Sequence, residues 1–115
     1  MVVRFLLILN IKRKNEVKAL KDYTGVKIPA NYFRGIESVG GHISFDEEGL
    51  TFKSHDLNIQ TGDLHIDYSQ IQAVNKRNTL GIVPNGILLI TNDGNKYKFV
   101  INGRTAVMEF LLSRK

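Results

Sequence analysis

Toward the end of the chain the sequence runs Ile87-Leu88-Leu89-Ile90-Thr91, then Asn92-Asp93-Gly94, then Lys96-Tyr97-Lys98-Phe99-Val100-Ile101. Two apolar-rich runs around Asp-Gly are among the strongest short signals for a β-hairpin, because glycine reaches the left-handed backbone that tight turns need. With Asp93-Gly94 as a two-residue turn, 92 faces 95, 90 faces 97 and 88 faces 99. Leu88, Ile90, Tyr97 and Phe99 then share the inner face. The other face carries Thr91 with Lys96, Leu89 with Lys98 and Ile87 with Val100. Ile87, Leu89 and Val100 would need a cover, since contiguous apolar patches are uncommon on monomers.

A second hairpin is legible upstream. His42-Ile43-Ser44-Phe45-Asp46-Glu47 and Leu50-Thr51-Phe52-Lys53-Ser54-His55 alternate at period two around Glu48-Gly49. That turn sets 45 against 52 and 43 against 54, with Ile43, Phe45 and Phe52 inward and His42 beside His55 outward. Before it, Gly25 and Pro29 punctuate an extended piece. Leu57 and Ile59 begin another, and Leu64 to Tyr68 and Ile71 to Val74 read as strands, with a loop from Lys76 to Gly86. The chain closes on one amphipathic helix, with Asn102 suited to the N-cap and Val107, Met108, Leu111 and Leu112 at helical spacing. Short antiparallel strands followed by one helix predict a small bent barrel with the helix plugging an open end, which is one way to remove exposed strand edges.

At 115 residues the chain suits one domain. It contains no cysteine, which excludes disulfides, thiolate chemistry and cysteine-based zinc sites. The formal net charge is +5, and its placement is informative. Residues 1–30 hold seven basic and two acidic residues, while the remainder holds nine of each. A neutral body lacks the basic face expected of a nucleic-acid binder. Residues 1–24 thus read as a basic and apolar extension, and 25–115 as the domain. The run from Phe5 to Ile11 is too short to cross a bilayer, for which about 20 residues are needed. Basic residues follow it rather than precede it, unlike a classical export signal, so a cytoplasmic location is the default expectation. The extension packs on the body, or lays Phe5 to Ile11 into a membrane interface with Lys12, Arg13, Lys14 and Lys18 toward anionic lipid. A translation start placed too far upstream would leave a similar segment.

The strings PANYFRGIESVGGHISFDEEGLTFKSHDLNIQ, KRNTLGIVPNG and DGNKYKFVINGR resemble the GRAM-type, pleckstrin-homology-like domains of small bacterial proteins. The resemblance spans about Ile28 to Leu112 and leaves the extension outside. It implies a mainly β fold, a strongly bent antiparallel barrel of about seven strands capped by a C-terminal α-helix. It also implies a non-catalytic role in binding lipid or protein, without a cofactor.

Candidate site residues follow from charge and position. Lys53, Lys76, Arg77, Lys96, Lys98 and Arg104 are the body's candidates for a phosphorylated head group, with Lys96 and Lys98 on one face. Lys76 and Arg77 flank Leu80-Gly81-Ile82-Val83, so Leu80 and Ile82 either enter lipid or fold back to seal the barrel. Possible partners are therefore an anionic phospholipid surface, a protein, or a second copy of the chain, which would make it a self-associating module without a lipid role. Nucleophile-elbow, phosphate-loop and HExxH patterns are absent. Asp63 and Asp67 lie near His65, but no nucleophile with an ordered base assembles from local spacing, and the sequence reads as a non-enzyme. Two solvated histidines are the ordinary reading of His42 and His55; a metal would need a third ligand such as His65 or an aspartate.

Overall fold

The computed structural model describes residues 21–55, 63–79 and 83–115. Among these, seven strands form one antiparallel sheet: β1 (Lys27–Arg34), β2 (Glu37–Phe45), β3 (Gly49–Ser54), β4 (Leu64–Asp67), β5 (Ile71–Thr79), β6 (Val83–Thr91) and β7 (Lys96–Ile101). The spatial order is β4-β3-β2-β1-β7-β6-β5, so β1 and β7 join the two halves. A short 3-10 turn (Tyr68–Gln70) links β4 to β5, and helix α1 (Arg104–Arg114) follows β7. The expected mainly β architecture, a curled half-barrel with a terminal helix, is what forms. No helix among the described residues is long and apolar enough to cross a membrane.

Both hairpin registers differ from expectation, for local reasons. In the first, Asp46 Oδ1 accepts hydrogen bonds from the Glu48 and Gly49 amides, each 2.8 Å. The Asp46 amide donates to the Gly49 carbonyl at 3.0 Å. Glu47-Glu48 is therefore the turn, with Asp at the first and Gly at the fourth position, as type I turns prefer. Phe45 faces Leu50, Ile43 faces Phe52 and His42 faces Lys53. The shift is two residues, so Ile43, Phe45 and Phe52 remain inward although their partners change.

The second hairpin shifts by one. The Thr91 amide donates to the Asn95 carbonyl and the Gly94 amide to the Thr91 carbonyl, both at 2.9 Å. Three residues, Asn92 to Gly94, fill the loop, and Gly94 takes φ 86°. Gly86 faces Val100, Ile87 faces Phe99 and Leu89 faces Tyr97. A one-residue slip exchanges the two faces of a strand. Ile87, Leu89 and Phe99 are the inward set, each at most 1% exposed. Leu88 and Ile90, expected inside, lie on the outer face.

The Asp93 carboxylate fixes this loop, accepting from the Thr91 hydroxyl, the Asn95 amide and the Asn95 side chain. The Thr91 bond first, then the Asn95 amide, hold its carboxyl below the ordinary value of 3.8. A carboxyl depressed by folding stabilises the fold above its unfolded value, and that stabilisation is lost as pH falls through the lower folded one. Asp93→Asn should therefore lower the melting temperature at pH 5 to 7 and shrink the further loss on going to pH 3. Melting curves across that range test this; an acid limb unchanged by the substitution would sink it.

The inner face and α1 make the core. Val107, Phe110 and Leu111, at spacings of three and four, are the buried helix residues. Leu112 was expected on that stripe but lies a further 100° round and is 48% exposed. Gly103, in the left-handed region at φ 69°, is the N-cap in place of Asn102. Tyr23, Phe45 and Tyr68 surround Phe110 with ring centroids 5.6, 5.6 and 5.8 Å away. Tyr32, Phe52 and Phe99 form a second aromatic group, 5.1 to 5.9 Å apart. Burial pushes the Tyr68 hydroxyl up to about 12, and it donates to the Asp46 carbonyl at 2.8 Å. Gly41 permits the tight β2–β3 approach: a Cβ there would sit 2.0 Å from the Lys53 carbonyl oxygen and 2.8 Å from the Phe52 ring.

Two further expectations are corrected. β1 and β2 form a hairpin around Gly35-Ile36 that the sequence reading did not assign, and β2 runs through Gly40-Gly41 without a break. The loop expected from Lys76 to Gly86 shrinks, because Lys76 to Thr79 belong to β5 and Val83 to Gly86 to β6, with a bulge between Arg77 and Thr79. The Leu57 and Ile59 piece lies outside the described residues.

Candidate interaction surface

The registers place every outward side chain in rows across the β5–β6–β7–β1 half. One row reads Asn75, Leu88, Lys98, Phe33; the next reads Arg77, Gly86, Val100, Asn31; a third pairs Ala73 with Ile90 and Ile90 with Lys96. Phe33, Ile90 and Val100 are half-buried, and Leu88 is 7% exposed although it lies outside the core cluster. Among these described positions stand three cations, Arg77, Lys96 and Lys98, and no carboxylate. Lys98 Nζ lies 4.9 Å over the Phe33 ring centroid, a cation–π contact that sets the charge on the apolar part of this face. Neither lysine has an ion-pair partner among the described residues.

The sequence-derived candidates thus separate. Lys96, Lys98 and Arg77 come together, with Leu88 and Ile90 beside the lysines instead of Leu89. Lys76 faces Ile87 in the ladder and points to the other side of the sheet. Lys53 sits on β3 in the far half, opposite His42, with Nζ 3.7 Å from the Asp63 carboxylate. Arg104 donates from Nη1 to the Arg77 carbonyl at 3.1 Å, tying the start of α1 to β5. Leu80, Ile82, Lys12, Arg13 and Lys14 lie outside the described residues.

Phe33, Leu88 and Ile90 are the residues of this face that the sequence reading missed. Phe33 follows Tyr32 in an alternating strand, and Tyr32 packs inward, so parity alone exposes Phe33. For Leu88 and Ile90 the signal was the length of the β6–β7 loop. Asn92 before Asp-Gly makes a three-residue loop closed by a left-handed glycine available, and the choice between loops inverts the face.

One other arrangement has the look of chemistry. Thr51 Oγ1 lies 2.8 Å from His65 Nδ1, and His65 Nε2 lies 2.7 Å from Asp67 Oδ1. A carboxylate only accepts, so Nε2 donates to Asp67, while Nδ1 and the Thr51 hydroxyl share the other bond. The order hydroxyl, imidazole, carboxylate matches an acyl-transfer relay. The relay nonetheless lies open on the outer face of β3 and β4, with His65 and Asp67 side chains 42% and 45% exposed. It lines neither the hollow beside Asp22, Phe110 and Arg114 nor the one beside Pro29 and Asn102. Its described bonds act as a clasp between β3 and the edge strand β4.

Comparison with known proteins bears on the fold. No family model matches the chain, and no curated protein matches it in sequence. Solved structures do. The C-terminal domain of an unknown protein from Leishmania infantum superposes with a TM-score of 0.62 at 16% identity, covering 91% of this chain and 98% of that one. The N-terminal PH domain of human ARAP2 superposes with a TM-score of 0.62 at 13% identity, covering 76% of each chain. Seven antiparallel strands in a curled half-barrel with one C-terminal helix thus give this chain a pleckstrin-homology-like fold.

Proposed function

We propose that this chain is a non-catalytic binding module of GRAM type that docks on anionic membrane surfaces through the outer face of β5, β6, β7 and β1. The observation that carries the reading is the company Lys96 and Lys98 keep: the half-buried Phe33, Ile90 and Val100 on the same face, with no carboxylate among its described positions. Peripheral lipid binding needs apolar area and attraction to anionic head groups together, and this face supplies both. A protein partner with an acidic, apolar-centred surface would use the same residues. The basic extension, with Lys12, Arg13 and Lys14, adds to the attraction, each basic residue near such a surface contributing about 1 kcal/mol. Cytoplasmic residence at a membrane surface follows from this reading.

Co-sedimentation with neutral and anionic vesicles tests it, on the full chain and on a chain lacking residues 1–20, which keeps the core residue Tyr23. Both forms should bind anionic vesicles and leave neutral ones, the shorter form more weakly. Binding by neither form would overturn the proposal. Binding by the full chain alone would move the activity to the extension and remove it from the sheet face.

A further inference from the structure

We propose that Asn102-Gly103, the joint between β7 and α1, is a site of self-modification at which the folded chain turns asparagine into aspartyl and isoaspartyl residues. The chain holds two Asn-Gly pairs, Asn85-Gly86 and Asn102-Gly103, and one Asp-Gly pair, Asp93-Gly94. Glycine has no Cβ, so the amide nitrogen after such a residue is unshielded. That nitrogen attacks the asparagine Cγ and closes a five-membered imide. The side-chain nitrogen leaves as ammonia, taking up the amide proton through water. Water then opens the ring at either carbonyl, to aspartate or to isoaspartate with the main chain routed through Cβ and Cγ. The sum is one water consumed and one ammonia released, with no change of oxidation state.

As dipeptides the two Asn-Gly pairs are alike; the fold makes them different. Gly86 lies in β6 between two partners, facing Arg77 of β5 and Val100 of β7. It is buried, and a Cβ there would stand 2.7 Å from the Arg77 carbonyl oxygen, so its backbone turns toward Asn85 only if the strand opens. At Asp93-Gly94 the Gly94 amide donates to the Thr91 carbonyl at 2.9 Å, and the carboxylate is held by Thr91 and Asn95. Asn102 and Gly103 are exposed and lie between the last strand and the helix. Among the described residues no hydrogen bond holds the Asn102 side chain or the Gly103 amide. Asn102 lines the hollow beside Pro29 and Val100, which gives its side chain room to turn. The position also carries a consequence. The Gly103 carbonyl accepts the first bond of α1, from the Val107 amide at 3.1 Å, and Val107, Phe110 and Leu111 follow it into the core. An isoaspartyl link inserts an extra main-chain atom directly before that bond.

Incubation of the full chain in warm, mildly alkaline buffer, sampled over time by peptide mass mapping and ammonia release, tests the proposal. Asn102 should convert at least about tenfold faster than Asn85 in the same folded sample. In urea the two rates should come together, because the fold no longer tells the pairs apart. Asn102→Gln, which would need a larger ring, should remove the fast conversion and melt within about 2 °C of the parent. The isoaspartyl-rich fraction, separated by ion exchange, should melt lower by on the order of 5 °C. Equal rates at Asn85 and Asn102 in the folded chain would overturn the proposal. So would an Asn102 that stays intact while the unfolded chain reacts. An isoaspartyl fraction that melts with the parent would overturn the coupling to α1.

Discussion

Phe110→Ala should cost about 3–5 kcal/mol, the range for removing a buried phenylalanine, and lower the melting temperature by on the order of 20 °C. Phe110 is 2% exposed and meets three rings from separate parts of the chain: Tyr23 before β1, Phe45 at the end of β2 and Tyr68 in the turn before β5. Edge-on aromatic contacts add to area burial, so a smaller apolar replacement does not restore them. The cavity would open beneath α1, among rings contributed by the segment before β1, by β2 and by the turn before β5. Thermal denaturation followed by near-ultraviolet dichroism reports the change. Leu112→Ala is the control: at 48% exposure it should move the midpoint by only a degree or two. A Phe110→Ala midpoint within about 5 °C of the parent would mean that α1 is not the plug on this core.

Loss of vesicle binding is the second large effect. Changing Lys96 and Lys98 together to alanine should remove about 2 kcal/mol of attraction, at about 1 kcal/mol per basic residue. That corresponds to roughly a 30-fold weaker partition onto anionic vesicles. Lys96→Glu with Lys98→Glu should go further, because repulsion replaces attraction. Lys53→Glu is the informative comparison. Lys53 carries the same charge but sits on β3 beside Asp63, so its reversal should change binding far less. Equal losses from both sites would point to diffuse net charge in place of a docking face. Phe33→Ala tests the apolar half, and should weaken binding even in high salt, where screening has removed most of the lysine contribution.

Much of the fold was legible because local signals carried it. Alternation placed β3, β4 and the second half of β2, the Asp-Gly turn between two apolar-rich runs placed β6 and β7, and the spacing of apolar residues placed the helix. What stayed hidden was decided by hydrogen bonds that composition does not display. Asp46 and Asp93 each use a side-chain oxygen to close a turn, and each moves a register from the expected one. At the first turn the error was even and harmless to the faces; at the second it was odd and exchanged them. The helix stripe slipped for a related reason: Phe110, set by packing among three rings, competes with Met108 and Leu112 in any periodicity count. Of the candidate site, Lys96 and Lys98 were found together by their spacing of two. Arg77 joined them only when β5 ran on past Val74, and Lys53 and Lys76 separated only when the ladder fixed their sides.

The three-residue turn from Asn92 to Gly94 makes length a stricter constraint than composition at that place. A substitution within it weakens a loop; loss of one residue would re-index every pair downstream in β7 and present Phe99 to the water and Lys98 to the aromatic interior. At this turn a substitution costs stability, whereas a change of length costs the register. An insertion or deletion here amounts to turning one strand inside out, and with it the surface that the rest of the sheet offers to a partner.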